Sequence, residues 1–444
     1  MRSVNRRHFL KIAASVGVTG LSGLSCAVSA KPTNIVLIMA DDLGYECIGA
    51  NGGTSYQTPV LDTIAKTGVR FEHCYAQPLC TPSRVKIMTG KYNFRNYKHF
   101  GVLVPDQITF ANLLKNFGYA TCVVGKWQLG GGPDQPRNFG FDEYCLWQHL
   151  RGRTDEQGHD TRYENPQLEI NGEPFEYQSG EYGPDVVSDY ACDFIDRHKD
   201  EPFFLYYPMM LTHCPFVPTP DSDDWDPSSP GSSEYKGDVN YFPDMVAYMD
   251  KMIGKIHNCL ERKGLLHNTL VIFTGDNGTD EPVVSMFNER KVAGAKGRMT
   301  DAGTRVPLIV SWPGTAVPGV ISDLVDFSDI LPTLCHTAGY DIPGSLQLDG
   351  KSFLPQVLGR KGEPRDWIYI WYSRSGRRGS AQVFARTREY KLYQDGRFYH
   401  IPNDYSESND LNNNDLNPKV QQILDKLQSV LDQYKDAGSE KLKY

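Results

Sequence analysis

Five short apolar runs constrain the fold of this chain more than any other feature of its sequence. They cover residues 34–40, 121–124, 203–207, 269–273 and 307–311. Each run is as long as one strand and is apolar throughout, which is typical of strands buried on both faces. Between them lie amphipathic segments with helical spacing, at 58–67, 109–116, 186–197 and 244–263. This order predicts an α/β fold in which helices sandwich a mostly parallel sheet.

Polar side chains stand just beyond these runs, where each predicted strand ends. The residues are Asp41, Asp42, Lys126, His213, Asp276 and Asn277. In an open α/β sheet, ligands bind in the crevice outside the carboxyl ends of the strands. The sequence therefore predicts that these six side chains form one site.

The character of the sequence changes near residue 360. Short runs with strand character lie at 368–372, 381–387, 390–393 and 397–401, and a helical segment follows at 418–434. Tight turns separate the runs, as in an antiparallel sheet. We interpret residues 361–444 as a small C-terminal antiparallel α+β subdomain, packed on a larger α/β domain at 31–360.

Residues 1–30 have the composition of an export signal. Arg6 and Arg7 precede a short run rich in small and apolar residues, and residues 28–30 suit a signal peptidase. The run is too short for a stable membrane span. The paired arginines resemble a twin-arginine signal, which predicts the twin-arginine export machinery as a partner and a periplasmic or extracellular location. A general secretory signal and a lipid anchor at Cys26 are the alternatives.

The charge and the cysteines exclude several classes of protein. The net charge is −8 and no long basic run lies beyond the N-terminal segment, so we expect no nucleic-acid binding. The cysteines are scattered without a Cys-x-x-Cys pair, which indicates neither a zinc site nor a dense disulfide framework. Most lie in apolar stretches, as buried thiols do, and Cys80 is the exception.

Two pairs of oxygen ligands occur at predicted strand ends. Asp41 and Asp42 are adjacent carboxylates that repel each other unless a cation binds them. Asp276 and Asn277 lie in the segment Gly-Asp-Asn-Gly, which is also an ordinary turn sequence. Carboxylate and amide oxygens suit calcium or magnesium better than a soft metal. The two pairs together predict a site for a hard divalent ion.

The segment Cys-Thr-Pro-Ser-Arg at 80–84 precedes a short apolar stretch and Thr89-Gly90. It resembles the signature of the formylglycine-dependent type I sulfatases, a family of the alkaline phosphatase superfamily. In that family the cysteine is oxidised to formylglycine, so the resemblance implies that Cys80 becomes the nucleophile. It also implies one calcium ion, with magnesium as the alternative, bound by Asp41, Asp42, Asp276, Asn277 and the modified Cys80.

The modification adds one expected partner. The resemblance implies that a formylglycine-generating maturation enzyme acts transiently on Cys80. If the chain folds before twin-arginine export, this enzyme acts in the cytoplasm, while the segment is still accessible.

Further segments match the same family in the same order. The run GKWQLG at 125–130 resembles Gly-Lys-Trp-His-Leu-Gly, which implies that Lys126 contacts the sulfate oxygens. Gln128 stands where the family has histidine. Glutamine forms hydrogen bonds but does not take a proton near neutral pH, so either another group accepts that proton, or release is slower, or orientation by Gln128 suffices.

The remaining catalytic residues also come from the resemblance. It implies that His213 protonates or polarises the leaving oxygen and that Lys296 is a second cation on the sulfate. Arg84 would orient the formylglycine, whereas Arg305 would brace the fold. Outside these motifs, Arg374, Arg377 and Arg378 either bind further anionic groups of a glycan or belong to a solvated loop.

The resemblance covers residues 33–435 and implies an alkaline-phosphatase-like fold with a small C-terminal subdomain. The expected activity is that of an arylsulfatase-like sulfuric ester hydrolase, acting on a sulfated small molecule or glycan, and sulfated carbohydrates are the substrates we expect. Two alternatives stay open. One is a phosphodiesterase or phosphonate monoester hydrolase of the same superfamily, and the other is an inactive sulfoglycan-binding relative.

Overall fold

The computed structural model describes residues 32–413 and 416–436. The predicted export signal, with Arg6, Arg7 and Cys26, lies outside the described residues. Within the described ranges, each helix is too short or too polar to cross a lipid bilayer.

A ten-stranded sheet forms the centre of the fold. The first twelve strands in chain order are β1 (Asn34–Ala40), β2 (Val69–Tyr75), β3 (Ala120–Lys126), β4 (Glu143–Trp147), β5 (Gln167–Ile170), β6 (Glu173–Glu176), β7 (Phe203–Pro208), β8 (Thr269–Gly275), β9 (Val284–Phe287), β10 (Arg290–Ala293), β11 (Arg305–Ser311) and β12 (Gly319–Asp326). The main sheet has the order β12-β2-β11-β8-β1-β7-β3-β4-β5-β6, and β9 and β10 form a separate hairpin. Strands β8, β1, β7, β3 and β4 are parallel neighbours. The predicted mostly parallel sheet is therefore confirmed.

Helices cover both faces of this sheet. They are α1 (Pro59–Thr67), α2 (Cys80–Thr89), α3 (Phe110–Asn116), α4 (Gln135–Asn138), α5 (Gly183–Arg197), α6 (Phe242–Arg262), α7 (Asp301–Thr304), α8 (Ile330–Thr337), α9 (Leu354–Val357) and α10 (Pro418–Gln433). On β1, Leu37 joins a core cluster with Val85 of α2. The next residue, Ile38, joins the opposite cluster with Leu61 of α1 and Met249 of α6. Because successive side chains of a strand point to opposite faces, a strand covered on both faces must be apolar throughout.

The fifth apolar run differs from the others in direction. Strand β11 is antiparallel to β8, with Leu308 opposite Thr274. Its N-terminal end therefore lies at the edge where the parallel strands have their carboxyl ends. This direction places the segment before β11, which carries Lys296, at the same edge of the sheet.

Helix α2 is buried along its whole length, although it contains a lysine. The ammonium group of Lys86 donates to Asp326 at the end of β12 over 2.6 Å, and neither side chain is exposed. Burial lowers the pKa of Lys86, and the charge of Asp326 opposes that shift. A buried charge that loses its partner destabilises a protein by roughly 3–5 kcal/mol, so this ion pair fixes α2 to the sheet.

A second, antiparallel sheet follows the main one. Its strands are β13 (Ile368–Tyr372), β14 (Gln382–Arg386), β15 (Tyr390–Tyr393) and β16 (Phe398–His400), and α10 packs against it. The predicted C-terminal sheet and helix are thus confirmed. Ile368 and Phe384 share a buried cluster with Tyr75 and Leu79 of the larger part. The boundary at residue 360 stays a prediction, since the two parts share core residues.

Candidate active site

Six separate segments meet at the carboxyl edge of the main sheet. They carry Asp41 and Asp42 after β1, Cys80 at the start of α2, Lys126 at the end of β3, His213 after β7, Asp276 and Asn277 after β8, and Lys296 before β11. All of these residues except Lys296 are buried. The structure thus brings together the six strand-end residues that the sequence pattern grouped into one site, and adds Cys80 and Lys296 to them.

Basic side chains pair with the carboxylates of the site. The Lys126 ammonium nitrogen lies 2.6 Å from Asp41 Oδ2, and the Lys296 nitrogen lies 2.5 Å from Asp42 Oδ2. Arg84 donates from Nη2 to Asp276 over 3.3 Å and from Nη1 to the carbonyl oxygen of Lys126 over 2.8 Å. Buried charges persist only when they are paired and hydrogen-bonded, and here each carboxylate has a cation.

Burial and these neighbours shift the pKa of each carboxyl group. For Asp41, burial acts to raise the pKa, but Lys126 and the other cations outweigh it and hold the pKa below its ordinary value. Burial raises the pKa of Asp42, against the opposing charge of Lys296. Burial also raises the pKa of Asp276, and the neighbouring charge of Asp41 adds to the shift. Further positive charge would favour full ionisation of all three carboxyl groups.

The same cluster fits a hard divalent ion. Ligand atoms of Asp41, Asp42, Cys80 and His213 lie within 4.8 Å of one another. Oδ1 of Asp41 and Oδ1 of Asn277 are buried, and neither has a hydrogen-bond partner among the described residues. The amide nitrogen of Asn277 donates to Asp42 over 2.8 Å. If the amide oxygen and nitrogen of Asn277 were exchanged, this oxygen would point at the carboxylates of the cluster. Such oxygen donors are those that calcium and magnesium prefer.

Cys80 occupies the first position of α2 and is 1% exposed. Its Sγ lies 3.6 Å from the Lys126 nitrogen and 3.8 Å from Asp42 Oδ1. Burial raises the pKa of the thiol well above its usual value, and the charge of Asp276 adds to this. Because the thiolate is the reactive form of cysteine, the unmodified side chain is poorly suited to nucleophilic attack in this pocket.

His213 is held between the cations and the carboxylates. Its Nε2 lies 2.9 Å from the Lys296 nitrogen and 3.5 Å from Asp42 Oδ2, while Nδ1 faces the carbonyl oxygen of Cys214 at 2.5 Å. Burial lowers the pKa of the imidazole well below its usual value, and Lys296 and Lys126 add to the shift. A neutral ring that donates from Nδ1 accepts at Nε2, so His213 accepts a hydrogen bond from Lys296 in this geometry.

Gln128 follows Lys126 by two residues, just after the end of β3. It has a positive φ of 53°, and its backbone nitrogen donates to the carbonyl oxygen of Gln148 over 3.1 Å. Its side-chain Oε1 is buried and lacks a hydrogen-bond partner in the described part of the chain. A left-handed conformation at a residue other than glycine costs about 1–3 kcal/mol and persists only where the surroundings impose it. The backbone of Gln128 is therefore fixed, and its side chain has a buried acceptor available.

Two supporting residues escaped the sequence analysis. The hydroxyl of Tyr163 donates to the carbonyl oxygen of His213 over 2.5 Å, which fixes the loop that carries the histidine. Thr279 accepts from the backbone nitrogen of Gly44 over 3.0 Å and donates to Glu46 over 2.6 Å, which joins the loops after β1 and β8. An isolated aromatic or hydroxyl residue in a loop has no periodicity, so no sequence signal identified either one.

Two contacts position the segment before β11. Gly278 donates to the carbonyl oxygen of Gly303 over 3.0 Å, and a Cβ atom at this position would collide with the carbonyl oxygen of Ala302. Only glycine allows the loop of Asp276 to approach α7 so closely. Arg305 donates to the carbonyl oxygen of Glu72, so it braces β11 against β2, as expected.

Comparisons with known proteins identify the family. The sulfatase family model matches residues 33–340, and the model described as N-sulphoglucosamine sulphohydrolase, C-terminal, matches residues 295–437. The chain is 33% identical to arylsulfatase A of Homo sapiens over 404 residues, which cover 82% of this chain and 75% of that protein. It is 31% identical to N-acetylgalactosamine-6-O-sulfatase of Bacteroides thetaiotaomicron over 416 residues, which cover 77% and 79%. The crystal structure of Ps i-CgsB superposes with a TM-score of 0.75 and 26% identity, covering 91% of this chain and 93% of that one.

The matches agree with the geometry of the site. The span of the sulfatase model includes all six segments that meet there, from Asp41 to Lys296. The mostly parallel sheet with a small antiparallel C-terminal sheet has the architecture of the matched sulfatase structures, so the expected fold is confirmed. The expected enzyme class, a sulfuric ester hydrolase, is confirmed by the same relatives. The chain belongs to the sulfatase family.

Proposed function

We propose that this protein hydrolyses sulfate monoesters of carbohydrates, using a formylglycine formed from Cys80 and one bound calcium ion. The observation that carries the proposal is the burial of Cys80 in one pocket with three carboxylates and the cations of Lys126 and Lys296. Two similar proteins support a carbohydrate substrate. One is named for a sulfated sugar, and the other, Ps i-CgsB, was solved in complex with k-i-k-neocarrahexaose.

The carboxylates and the lysines have separate roles in this proposal. Asp41, Asp42, Asp276 and Asn277 would hold the divalent ion, which supplies positive charge for an oxygen nucleophile and for the sulfate. Lys126 and Lys296 neutralise two of these carboxylates in the structure described here. With a dication on the carboxylates, the two ammonium groups are available to bind sulfate oxygens. Arg84 holds Asp276 and the backbone of β3 in register.

Formylglycine, as its hydrate, would supply the hydroxyl group that attacks sulfur. The chain's own residues position this group and move its protons. His213 Nε2 lies 2.9 Å from the Lys296 nitrogen, and in the proposed reaction Nε2 would exchange a proton with the leaving alcohol. Its neutral ring is able to take a proton and deliver it.

The glutamine at position 128 leads us to expect slow proton transfer in this enzyme. Replacing Gln128 by histidine is expected to raise kcat about tenfold near pH 7 and to add a limb to the pH–rate profile near pH 6–7, because imidazole accepts a proton there and an amide does not. Histidine also tolerates the positive φ of this position better than most residues. Steady-state rates across pH 5–9 measure the effect.

The matched control is Gln128→Leu, which retains the size of the side chain but removes its hydrogen-bonding atoms. We expect this variant to lower kcat below that of the parent. An unchanged kcat and pH profile in Gln128→His would show that proton transfer at this position does not limit turnover.

The proposed reaction is tested on protein produced together with a formylglycine-generating enzyme. We expect the tryptic peptide 71–84 to carry the aldehyde or its hydrate at Cys80, and 4-nitrophenyl sulfate to be hydrolysed faster than 4-nitrophenyl phosphate. A thiol at Cys80 under these conditions contradicts the proposal. Faster hydrolysis of the phosphate favours a phosphohydrolase, and modified protein that turns over neither ester favours a sulfoglycan-binding role.

We also propose that residues 1–30 direct twin-arginine export, so that the mature enzyme acts in the periplasm or outside the cell. The sequence Arg6-Arg7, followed by a short run of small and apolar residues, supports this proposal. A maturation enzyme would then act on Cys80 in the cytoplasm. Replacing both arginines by lysine should leave the chain in the cytoplasm, and unimpaired export of that variant would contradict the route.

A further inference from the structure

A cleft of about 580 Å³ lies between the C-terminal sheet, the loop residues 99–100 and Gly297, the residue after Lys296. Its lining includes Phe100, Gly297, Tyr372 and Arg374, and none of the described residues that line it is acidic. The guanidinium of Arg374 lies 5.0 Å from the centre of the Phe100 ring. Within residues 32–413 and 416–436 it has neither an ion-pair nor a hydrogen-bond partner. The cleft therefore presents an uncompensated positive charge.

The backbone of Arg374 is fixed despite the exposure of its side chain. Its carbonyl oxygen accepts hydrogen bonds from the Phe100 nitrogen over 3.1 Å and from the Tyr97 hydroxyl over 3.2 Å. Gly376, two residues later, has a positive φ of 69°, and a Cβ atom there would collide with the carbonyl oxygen of Lys98. These contacts attach the loop to segment 97–101, so the backbone that carries the Arg374 side chain is fixed. A positioned donor of this kind loses less entropy on binding than a free surface arginine does.

The cleft is joined to the proposed nucleophile and to the proposed sulfate-binding lysine. The Gly101 nitrogen, in the segment that holds Arg374, donates to the hydroxyl of Thr81, the residue after Cys80, over 3.1 Å. Gly297, which lines the cleft, follows Lys296 directly. The segments that line the cleft are therefore bonded to, or directly follow, those that carry Cys80 and Lys296.

We propose that Arg374 binds a second anionic group of the substrate, a sulfate or a carboxylate on the same saccharide, while the ester to be hydrolysed lies at Cys80. This inference rests on the proposed function and adds a preference for substrates with more than one negative charge. Guanidinium groups bind sulfate and carboxylate through two parallel N–H···O hydrogen bonds. Because the group is planar, it selects anions by the spacing of their oxygens as well as by their charge.

The neighbouring arginines supply matched controls. Arg378 pairs with Asp436 over 3.5 Å and donates to the carbonyl oxygen of Lys435, so its charge is already engaged. Arg377 lies in the same loop and is exposed, but it is not part of the cleft lining. Arg377→Ala therefore removes the same charge from the same loop without changing the cleft.

The test compares saccharides that carry one sulfate, two sulfates, or one sulfate and one carboxylate. Their binding is measured by calorimetry on the Cys80→Ala background, where we expect turnover to be too slow to consume the ligand. Their inhibition of 4-nitrophenyl sulfate hydrolysis is measured on mature enzyme. We expect each doubly charged saccharide to bind about tenfold more tightly than the singly charged one, and Arg374→Ala to remove that advantage. Arg377→Ala should retain it. The tighter of the two doubly charged ligands identifies the group that Arg374 prefers.

Two results would overturn the inference. One is a parent protein that binds singly and doubly charged saccharides equally, and the other is an Arg377→Ala variant that loses as much affinity as Arg374→Ala. Failure of the proposed function gives a different result, namely mature enzyme that does not hydrolyse 4-nitrophenyl sulfate. Binding to the Cys80→Ala protein still reports on Arg374 in that case.

Discussion

Replacing Cys80 by alanine is expected to lower kcat for sulfate release by roughly 10⁴-fold or more, because loss of a covalent nucleophile removes the main route of the reaction. The substitution removes only the buried reactive group at position 80 and leaves the pairs of Lys126 with Asp41 and of Lys296 with Asp42 in place. We therefore expect little change in melting temperature. Initial rates with 4-nitrophenyl sulfate check the expected loss of kcat, and a thermal unfolding curve checks the melting temperature.

The matched control is Cys122→Ala, which removes a fully buried thiol from β3 outside the cluster. This variant should lose about 1 kcal/mol of unfolding free energy and retain its turnover. If Cys80→Ala keeps a rate within tenfold of the parent, another group is the nucleophile, and the assignment of formylglycine to position 80 is wrong.

Removal of the divalent ion by chelation is expected to reduce turnover by at least about 10³-fold, and added calcium should restore it. The three buried carboxyl groups repel one another, so the ion should also stabilise the fold. At a free calcium concentration of 100 times Kd, binding contributes about 2.7 kcal/mol. For a chain of this length, that corresponds to a rise in melting temperature of about 2–4 °C. Parallel titrations with calcium and magnesium decide which ion binds more tightly.

The ion's binding site is checked with Asp42→Ala, whose carboxylate lies within 4.8 Å of the other cluster ligands. In this variant, calcium should no longer raise the melting temperature at the concentration that saturates the parent. The control is Asp196→Ala, which removes an exposed carboxylate paired with Lys263. A calcium-induced shift that persists in Asp42→Ala would place the ion elsewhere.

The sequence predicted the centre of the fold better than its edges. Strands β1, β3, β7 and β8 are covered on both faces, so their apolar runs were conspicuous. Strand β2 was missed because Arg70, Glu72 and His73 are only partly buried and interrupt the apolar pattern of Val69–Tyr75. Strand β6, at the sheet edge, exposes all four of its residues and has no hydrophobic signal.

The difference between recognised and missed strands also explains which site residues could be derived from the pattern of apolar runs. The rule that ligands bind beyond carboxyl strand ends grouped Asp41, Lys126 and His213 without any motif. Cys80 follows the strand that was missed, and Lys296 precedes a strand that is antiparallel to its neighbours. Cys80 lies beyond the carboxyl end of β2, which has the same direction as β8, so the rule would have included it had that strand been recognised. Lys296 lies before a strand and falls outside the rule. Only the resemblance to the family therefore identified these two residues.

The strand order has a consequence for when Cys80 is accessible. Strand β1 lies between β7 and β8, so the site is not complete until β8 has been made. Strand β8 ends about 195 residues after Cys80. At 5–20 residues per second, a ribosome needs roughly 10–40 s to add these residues. Until β8 has been synthesised, the loop of Asp276 and Asn277 cannot cover the cysteine, which is 1% exposed in the finished fold. An enzyme that modifies Cys80 during synthesis therefore has only this time in which to reach the cysteine. Slower translation of the stretch between α2 and β8 would increase the fraction of chains that are modified.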